Sequence, residues 1–155
     1  MDRFDRIIHK CKILDIEEKI DCLRLFEIVS EEMESSLNIP KKYLLRLFKE
    51  REEETSTIIL PWLAIPHIIL EGDNIFEIVV IRAKKGILFN NHDEKITTAF
   101  IIAGSMNERN FHLKSLMIIA HIVNEDEFKE RWLNAKDREQ LRDVLLLSER
   151  KRLMD

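Results

Sequence analysis

The sequence predicts an α/β fold in which helices cover both faces of a sheet. Apolar residues recur every three or four positions over residues 16–36 and again over residues 40–53, as they do on the buried stripe of an amphipathic helix. Residues 76–83, by contrast, are apolar at almost every position, which leaves no solvent-facing side for a strand. Because a sheet that is apolar on both sides needs helices above and below it, we expect a three-layer α/β/α arrangement.

The first third of the chain predicts a lead segment, a strand and two helices. Residues 1–12 form the lead segment, which passes into a short strand near residues 12–14. We expect the first long helix to begin at residue 15 or 16 and to end near residue 36, because its apolar positions keep a helical spacing. Pro40 suits the first turn of a second helix, which runs to about Glu53.

Arg51 continues the apolar stripe of the second helix, because it follows Leu47 and Phe48 by four and three residues. We therefore expect its guanidinium to point toward the body of the domain, whereas the glutamates around it face solvent. A guanidinium that points toward the body of the domain can bind an anion there. The alternative is an ordinary ion pair with the neighbouring glutamates.

The middle of the chain predicts most of the sheet. The apolar run from Thr57 to Leu70 is broken by Pro61 and Pro66, and proline cannot donate to a strand ladder, so we expect a strand interrupted at an edge or bulge. Glycine and asparagine in residues 72–74 mark a turn before the next strand. Strands are predicted at residues 76–83 and 97–103, with loops at residues 84–86 and 90–94 around a short apolar segment at residues 87–89.

The last third predicts three helices and no second domain. A polar connection at residues 106–110 offers Asn110 as a helix cap. The helix that follows, residues 111–123, is apolar almost all round, so we expect it to be deeply buried. Two shorter helices and a basic tail complete the chain, at residues 126–135, 137–147 and 148–155. We expect residues 1–155 to form one domain.

Charge and hydropathy exclude several classes of partner. The net charge is −4, so no overall positive field attracts nucleic acid. The longest apolar stretch, residues 58–70, contains two prolines and a histidine and falls short of the roughly 18 residues that span a bilayer. Cys11 and Cys22 follow no secretory leader, so we expect a reducing, cytoplasmic location.

Most catalytic chemistries have no counterpart in this sequence. The five histidines show no spacing typical of a metal site, and three glycines cannot build a loop that cradles phosphates. No serine-hydrolase or dinucleotide motif occurs, and the two cysteines do not form a C-x-x-C pair that would favour redox catalysis. The sequence therefore predicts no metal and no cofactor.

Three groups remain as candidates for chemistry, and these are His67, His112 and Arg51. His67 follows Pro66 inside the apolar run, where a polar side chain breaks the local pattern. His112 falls in the first turn of its helix, where free N–H groups and the helix dipole favour an anion. A neutral imidazole can attack phosphorus and pass the group on, which predicts His67 as the nucleophile and the other two groups as stabilisers of the phosphoryl oxygens. The alternative for His67 is a structural histidine that is hydrogen-bonded to a backbone carbonyl. The alternative for His112 is a residue that only caps its helix.

The segments around these groups resemble a known family. Arg51-Glu52-x-x-x-Ser56-Thr57, followed by Leu63-Ala64-Ile65-Pro66-His67, is similar to the fructose, mannitol and nitrogen-regulatory enzyme IIA domains (type 2) of the bacterial phosphotransferase system. Asn110-Phe111-His112-Leu113 likewise resembles the family's second histidine motif, and the likeness covers residues 13–147. The resemblance implies a mixed five-stranded sheet between layers of helices.

The resemblance also implies roles for individual residues. His67 is expected to receive a phosphoryl group from the histidine-containing carrier protein and to pass it to an enzyme IIB, with His112 beside it. Arg51, Ser56 and Thr57 are expected to bind the phosphate. Such a phosphocarrier belongs to the transferase class.

One departure from the family concerns glycine. Sugar-specific members resemble S-T-G-I-G-x-G-I-A-I-P-H, whereas this chain has no glycine between Thr57 and His67. Glycine permits close backbone approach, so Pro61 and Trp62, together with Ile68, are expected to form the surface that a partner meets. Residues 58–72 are more similar to the IIA-like domains at the cytoplasmic ends of some cation/proton antiporters and amino-acid permeases. Those domains are thought to regulate rather than to feed sugar uptake.

Two functional hypotheses follow from these observations. In the first, the chain is a phosphocarrier with a regulatory role that is phosphorylated on His67. In the second, it is a binding module without phosphorylation that controls a membrane transporter and senses a small anion held by Arg51 and His112. The histidine motif favours the first hypothesis, and the missing glycines favour the second.

Overall fold

The structure, a computed structural model, describes residues 2–154, with side chains described from residue 2 to residue 148. The first half of the chain contains α1 (Arg3–Lys10), β1 (Lys12–Ile16), β2 (Ile20–Asp21), α2 (Cys22–Leu37), α3 (Lys41–Glu54), β3 (Ile58–Leu60), β4 (Leu63–Ala64) and β5 (His67–Leu70). The second half contains β6 (Phe76–Leu88), β7 (Ile96–Ser105), a 3-10 turn (Met106–Glu108), α4 (Arg109–Val123), α5 (Phe128–Asn134) and α6 (Arg138–Met154).

The seven strands lie in five rows of one mixed sheet, in the order β1, β6, β7, β4, β3. β2 continues the β1 row along β6, and β5 continues the β4 row along β7. The central strands β6 and β7 are antiparallel, whereas the rows directly beside them run parallel to their neighbours. The predicted α/β class and the mixed sheet are confirmed. The expected five strands correspond to five rows, two of which are interrupted.

The sheet is buried on both faces, because successive residues of β6 point into opposite cores. Ile78 and Val80 pack in one core with residues of α1, α4, α5 and α6. Val79 and Ile81 pack in the other core with residues of α2 and α3. All four side chains are 0% exposed. Helices therefore cover both faces of the sheet, as the apolar pattern of this strand predicted.

Helix α2 begins later than the sequence predicted. Residues 15–21 belong mostly to the sheet, because β1 and β2 both pair with β6 and Ile20 lies opposite Ile87. Asp21 caps the helix, and its side chain accepts a hydrogen bond of 2.8 Å from the backbone N–H of Arg24. The helical spacing located α2 but not its first turn, because an apolar residue such as Ile20 fits either a strand or a helix.

The loop predicted at residues 84–86 is wrong, because β6 continues through it. The register between β6 and β7 shifts between Arg82 and Ile87, as it does at a β-bulge. Gly86 has a φ of +97°, and a Cβ atom there would collide with the side chain of Lys95. The glycine therefore marks an irregularity within one long strand.

Helix α4 differs from the prediction at its start and on one face. It begins at Arg109, so Asn110 lies inside the helix and does not cap it. Leu113 and Met117 are 45% and 68% exposed, so this helix is not buried all round. At the end of the chain, α6 continues to Met154 through the segment predicted as a basic tail.

An ion pair between a buried arginine and a half-buried aspartate joins the sheet to the C-terminal helices, and the sequence did not predict it. Arg82 is 2% exposed, and its Nε and Nη2 atoms donate to the carboxylate of Asp15 at 2.9 and 2.6 Å. Its Nη1 atom donates to the carbonyl of Trp132 at 3.0 Å and to that of Ala135. A buried guanidinium needs such partners, so this cluster fixes the loop after α5 against the sheet.

Candidate functional site

The imidazole of His67 is oriented by the backbone just before it. Pro66 interrupts the row between β4 and β5, and its carbonyl accepts a hydrogen bond of 3.0 Å from the N–H of Ile102. His67 then opens β5 beside Ile102, and its Nδ1 atom lies 2.7 Å from the carbonyl oxygen of Ile65. A carbonyl oxygen can only accept, so Nδ1 carries the hydrogen in this bond. In the neutral ring, Nε2 therefore holds the free lone pair.

Arg51 reaches this lone pair from the last turn of α3. Its Nη1 atom donates to the carbonyl of Thr55 at 3.0 Å, which anchors the guanidinium to the end of its own helix. Its Nη2 atom lies 3.3 Å from Nε2 of His67. The side chain thus points inward, as its place on the apolar stripe predicted, and it faces the nitrogen that is free to react.

His112 lies behind His67, in the first turn of α4. The two rings meet edge to face, with centroids 5.4 Å apart and an angle of 86° between their planes. His112 is 1% exposed, and its Nε2 atom has no hydrogen-bond partner among the described residues. A buried polar atom without a hydrogen-bond partner lowers the stability of the fold. A ligand that forms a hydrogen bond with Nε2 of His112 would therefore be stabilised here.

Burial and nearby positive charge keep both rings neutral near pH 7. Burial lowers the pKa of His67 below its ordinary value of 6.5, and the charges of Arg51 and Arg109 lower it further. The hydrogen bond to Ile65 and the charge of Glu52 oppose that change in pKa. Burial lowers the pKa of His112 to about 4, with repulsion from His67 and Arg109 adding to the effect. A neutral imidazole is the form that attacks phosphorus.

Ser56 and Thr57 line a cavity of about 540 Å³ together with Arg51 and His67. The Oγ atom of Ser56 accepts a hydrogen bond of 3.1 Å from the N–H of Ile58. The hydroxyl and N–H of Thr57 both donate to the carboxylate of Glu52, at 2.6 and 3.2 Å. Ser56 therefore has a hydroxyl hydrogen to offer to a ligand, whereas Thr57 is engaged with Glu52.

The three residues predicted as a partner surface, Pro61, Trp62 and Ile68, differ in exposure. Ile68 is 4% exposed and belongs to the core under α2 and α3, so the prediction that it faces a partner is wrong. Pro61 is exposed, and its carbonyl lies 2.9 Å from Nε2 of His92. Trp62 lines a different cavity from His67, with its ring 6.3 Å from Phe128. The bulk of Trp62 is thus displaced from the cavity beside Arg51, whereas Leu60, which also stands in place of one of the family's glycines, lines that cavity.

Two residues of the site were missed by the sequence prediction. Glu52 follows Arg51 and holds Thr57, and Arg109 lines a second cavity of about 410 Å³ with Arg51 and His67. Arg109 precedes His112 by three residues on one helix, so the two share a face, and that spacing was visible in the sequence. Charged residues at helix ends are common at surfaces, which is why neither stood out.

The described part of the chain has neither a metal-binding cluster nor a membrane-spanning helix. No cluster of three or more histidine, cysteine, aspartate or glutamate side chains there has the arrangement of a metal site. No helix within that part is both long enough and apolar enough to cross a bilayer.

Comparison with known proteins relates the chain to one family. The family model described as phosphoenolpyruvate-dependent sugar phosphotransferase system, EIIA 2, matches residues 12–147. Among curated proteins, the mannitol-specific phosphotransferase enzyme IIA component of Bacillus subtilis (strain 168) is 32% identical over 106 residues, which cover 66% of this chain and 71% of that protein.

Solved structures share the fold at lower identity. The nitrogen regulatory protein IIA-Ntr from Neisseria meningitidis superposes with a TM-score of 0.80 at 22% identity, over 93% of this chain and 99% of the other. Enzyme IIAMTL from Escherichia coli, in a complex with phosphorylated enzyme IIBMTL, gives a TM-score of 0.69 at 14% identity, over 94% of this chain and 96% of the other. At these identities the likeness establishes the fold alone.

Proposed function

The chain belongs to the EIIA type 2 family of the phosphoenolpyruvate-dependent sugar phosphotransferase system, and from this premise we propose that it carries a phosphoryl group on Nε2 of His67. One observation supports this choice of atom above the others. The hydrogen bond of 2.7 Å between Nδ1 of His67 and the carbonyl of Ile65 leaves Nε2 unprotonated in the neutral ring. That nitrogen faces Arg51, and His67 lines two cavities.

The proposed step moves one phosphoryl group between two imidazoles. The lone pair on Nε2 of His67 attacks phosphorus, and the bond between phosphorus and the donor's nitrogen breaks. The electron pair of that broken bond returns to the donor's ring. Arg51 then donates from Nη2 to a phosphoryl oxygen instead of to Nε2, while its bond to Thr55 keeps it in place. Such preorganised donors stabilise the charge that develops on the oxygens.

His112 supports the group without forming a bond to phosphorus. Its pKa of about 4 makes it neutral at cytoplasmic pH, so it adds a hydrogen-bond donor and no charge. Its Nε2 atom, which lacks a partner among the described residues, gains one when it donates to a phosphoryl oxygen. Ser56 is proposed as a further donor from the wall of the larger cavity, and Thr57 as a residue that shapes this wall through Glu52.

The partners proposed here follow from the family and from one solved complex. We propose a histidine-containing carrier protein as the donor and an enzyme IIB as the recipient, because a protein of the same fold is known in complex with phosphorylated enzyme IIB. A cytoplasmic location and a regulatory role are part of this proposal. The location rests on the family to which the chain belongs, and the regulatory role rests on the likeness of residues 58–72 to transporter-associated domains.

The second hypothesis is a binding module that controls a membrane transporter without being phosphorylated. Its main support was the replacement of the family's glycines by bulky residues. Trp62 contributes to a cavity that does not include His67, whereas Leu60, which also replaces a glycine, lines the cavity beside Arg51. The position of Trp62, the bulkiest of these replacements, favours the phosphocarrier.

Phosphorylation by purified proteins tests the proposal. The chain is incubated with phosphoenolpyruvate, enzyme I and the histidine-containing carrier protein, and bound phosphate is measured by intact mass and by its release in acid. We expect acid-labile phosphate on the wild-type chain and on His121→Ala, a control on the exposed side of α4. We expect none on His67→Ala and slower or less stable labelling of His112→Ala.

Two outcomes would contradict the proposal. If the wild-type chain takes no phosphate, the binding module becomes the better account. If His67→Ala is labelled normally and His112→Ala is not, the two histidines have exchanged roles.

A further inference from the structure

Two cavities meet at His67, and the proposed function uses only one of them in full. The larger holds Ser56 and Thr57, whereas the smaller extends from the last turn of α3 to the first residue of α4, Arg109. Arg51 and His67 line both cavities. A group bound to Nε2 of His67 therefore lies at the junction, within reach of residues from either side.

Arg109 differs from Arg51 and Arg82 because its side chain has no partner among the described residues. It is half-buried, and its guanidinium makes no hydrogen bond or ion pair with any residue of the described chain. Arg51, in contrast, is fixed to Thr55, and Arg82 is fixed to Asp15. A half-buried cation without a partner favours the approach of an anion.

The charge of Arg109 already acts on the site in the free protein. Burial is the largest cause of the lowered pKa of His67 and of His112, and the charge of Arg109 is one of the smaller causes. It therefore favours the neutral imidazole that attacks phosphorus. The smaller cavity, which Arg109 lines, is also lined by Glu50 and Glu54. Glu50 lies 3.9 Å from Arg46. Neither of these two carboxylates forms an ion pair with Arg109.

A phosphoryl group changes the charge of this junction. It carries nearly two negative charges and three acceptor oxygens, which one anchored guanidinium cannot satisfy alone. Arg51 approaches from α3, whereas Arg109 approaches from the N-terminus of α4, so the two can bind different oxygens. A second planar, charged donor holds the group more firmly than a single one.

We propose that Arg109 is a second phosphate-binding residue, which closes on the phosphoryl group of His67 from the side opposite Ser56. This inference rests on the proposed function. In the phosphorylated chain, Arg51 and Arg109 bracket the group and slow the attack of water on phosphorus.

The test compares Arg109→Gln with Lys114→Gln, which removes one positive charge from an exposed position on the same helix. Each chain is phosphorylated, separated from the donor proteins and followed until the phosphate is lost. Loss of a charge-assisted hydrogen bond should shorten the lifetime of the phosphohistidine, or slow its formation, by about tenfold for Arg109→Gln. Lys114→Gln should match the wild type within about twofold, and Arg109→Lys should be intermediate.

The outcomes separate this inference from the proposed function. If the wild type is phosphorylated and Arg109→Gln behaves as Lys114→Gln does, the role of Arg109 is wrong and the function of His67 stands. If the wild type takes no phosphate, binding of inorganic phosphate is followed through the NMR signals of His67. Weaker binding by Arg109→Gln than by Lys114→Gln then supports the role of Arg109, and equal binding overturns it. Thermal unfolding of each variant shows that the fold is intact.

Discussion

The imidazole rings of His67 and His112 meet edge to face, with their centroids 5.4 Å apart. One ring opens a strand and the other lies in the first turn of a helix, so the fold alone brings them together. His67 lines the cavities and is hydrogen-bonded at Nδ1, whereas His112 is buried behind it. This difference in surroundings suits one ring for attack on phosphorus and the other for support.

The lowered pKa of His67 predicts how phosphorylation depends on pH. Burial and two arginines push this pKa below 6.5, so Nε2 keeps its lone pair to a lower pH than it does in an ordinary imidazole. We expect the rate of phosphate acceptance to fall to half its plateau value at a pH below 6.5, the ordinary pKa of a histidine. A pH profile of the initial rate, with enzyme I and the carrier protein in excess, measures this. A rate that already falls by half near pH 7 would show that the pKa of His67 is not lowered.

The buried ring of His112 predicts a loss of stability in acid. Its pKa is about 4 in the folded chain and near 6.5 in the unfolded chain, so the unfolded chain binds more protons between these values. This contribution is fully present above pH 6.5 and is lost as the pH falls toward 4. Urea unfolding at pH 7 and pH 4.5 should show a loss about 2 kcal/mol larger for the wild type than for His112→Gln. Equal losses in both chains would mean that His112 titrates normally.

The ion pair between Arg82 and Asp15 predicts a strong effect on folding. Arg82→Met leaves a half-buried carboxylate and two carbonyl groups without their donor, and a buried polar group left unpaired costs about 1–3 kcal/mol. Arg46→Met is the control, because Arg46 pairs with Glu50 on the surface at 3.9 Å. Surface pairs contribute less than about 1 kcal/mol. Free energies of unfolding in urea give both values, and similar losses in the two variants would contradict a structural role for Arg82.

Two neighbouring isoleucines in β5 predict opposite results. Ile68 is 4% exposed in the core, whereas Ile69 is 37% exposed. Ile68→Ala should lower the free energy of unfolding by about 2–5 kcal/mol, as is usual when a large buried side chain is truncated. Ile69→Ala should lower it by less than about 1 kcal/mol. A larger loss for Ile69→Ala would mean that β5 presents its other face to the core.

The layers of the fold were predictable because the pattern that reveals them is local. Successive residues of a strand point to opposite faces, so an unbroken apolar run at residues 76–83 is enough to require helices on both sides. The start of α2 was not predictable in this way. Ile20 pairs with Ile87, and nothing near Ile20 in the sequence reveals a partner so distant along the chain. The same holds for the contact between Asp15 and Arg82.

The site was predictable where a residue broke its local pattern. His67 stands in an apolar run and Arg51 continues an apolar stripe, and the structure brings these two within 3.3 Å. Ile68 was misplaced because it follows His67 directly, yet alternation along β5 turns it to the opposite side. Arg109 went unnoticed because a charged residue at a helix start is ordinary, although its spacing from His112 was visible, and the cavity shows that it lies beside His67.

The atom that bears phosphorus is the central claim, and NMR of the phosphorylated chain with isotope-labelled histidine measures it most directly. We predict that coupling to phosphorus appears at Nε2 of His67, while Nδ1 keeps the hydrogen that it donates to Ile65. Coupling at Nδ1 of His67, or at either nitrogen of His112, would contradict the account.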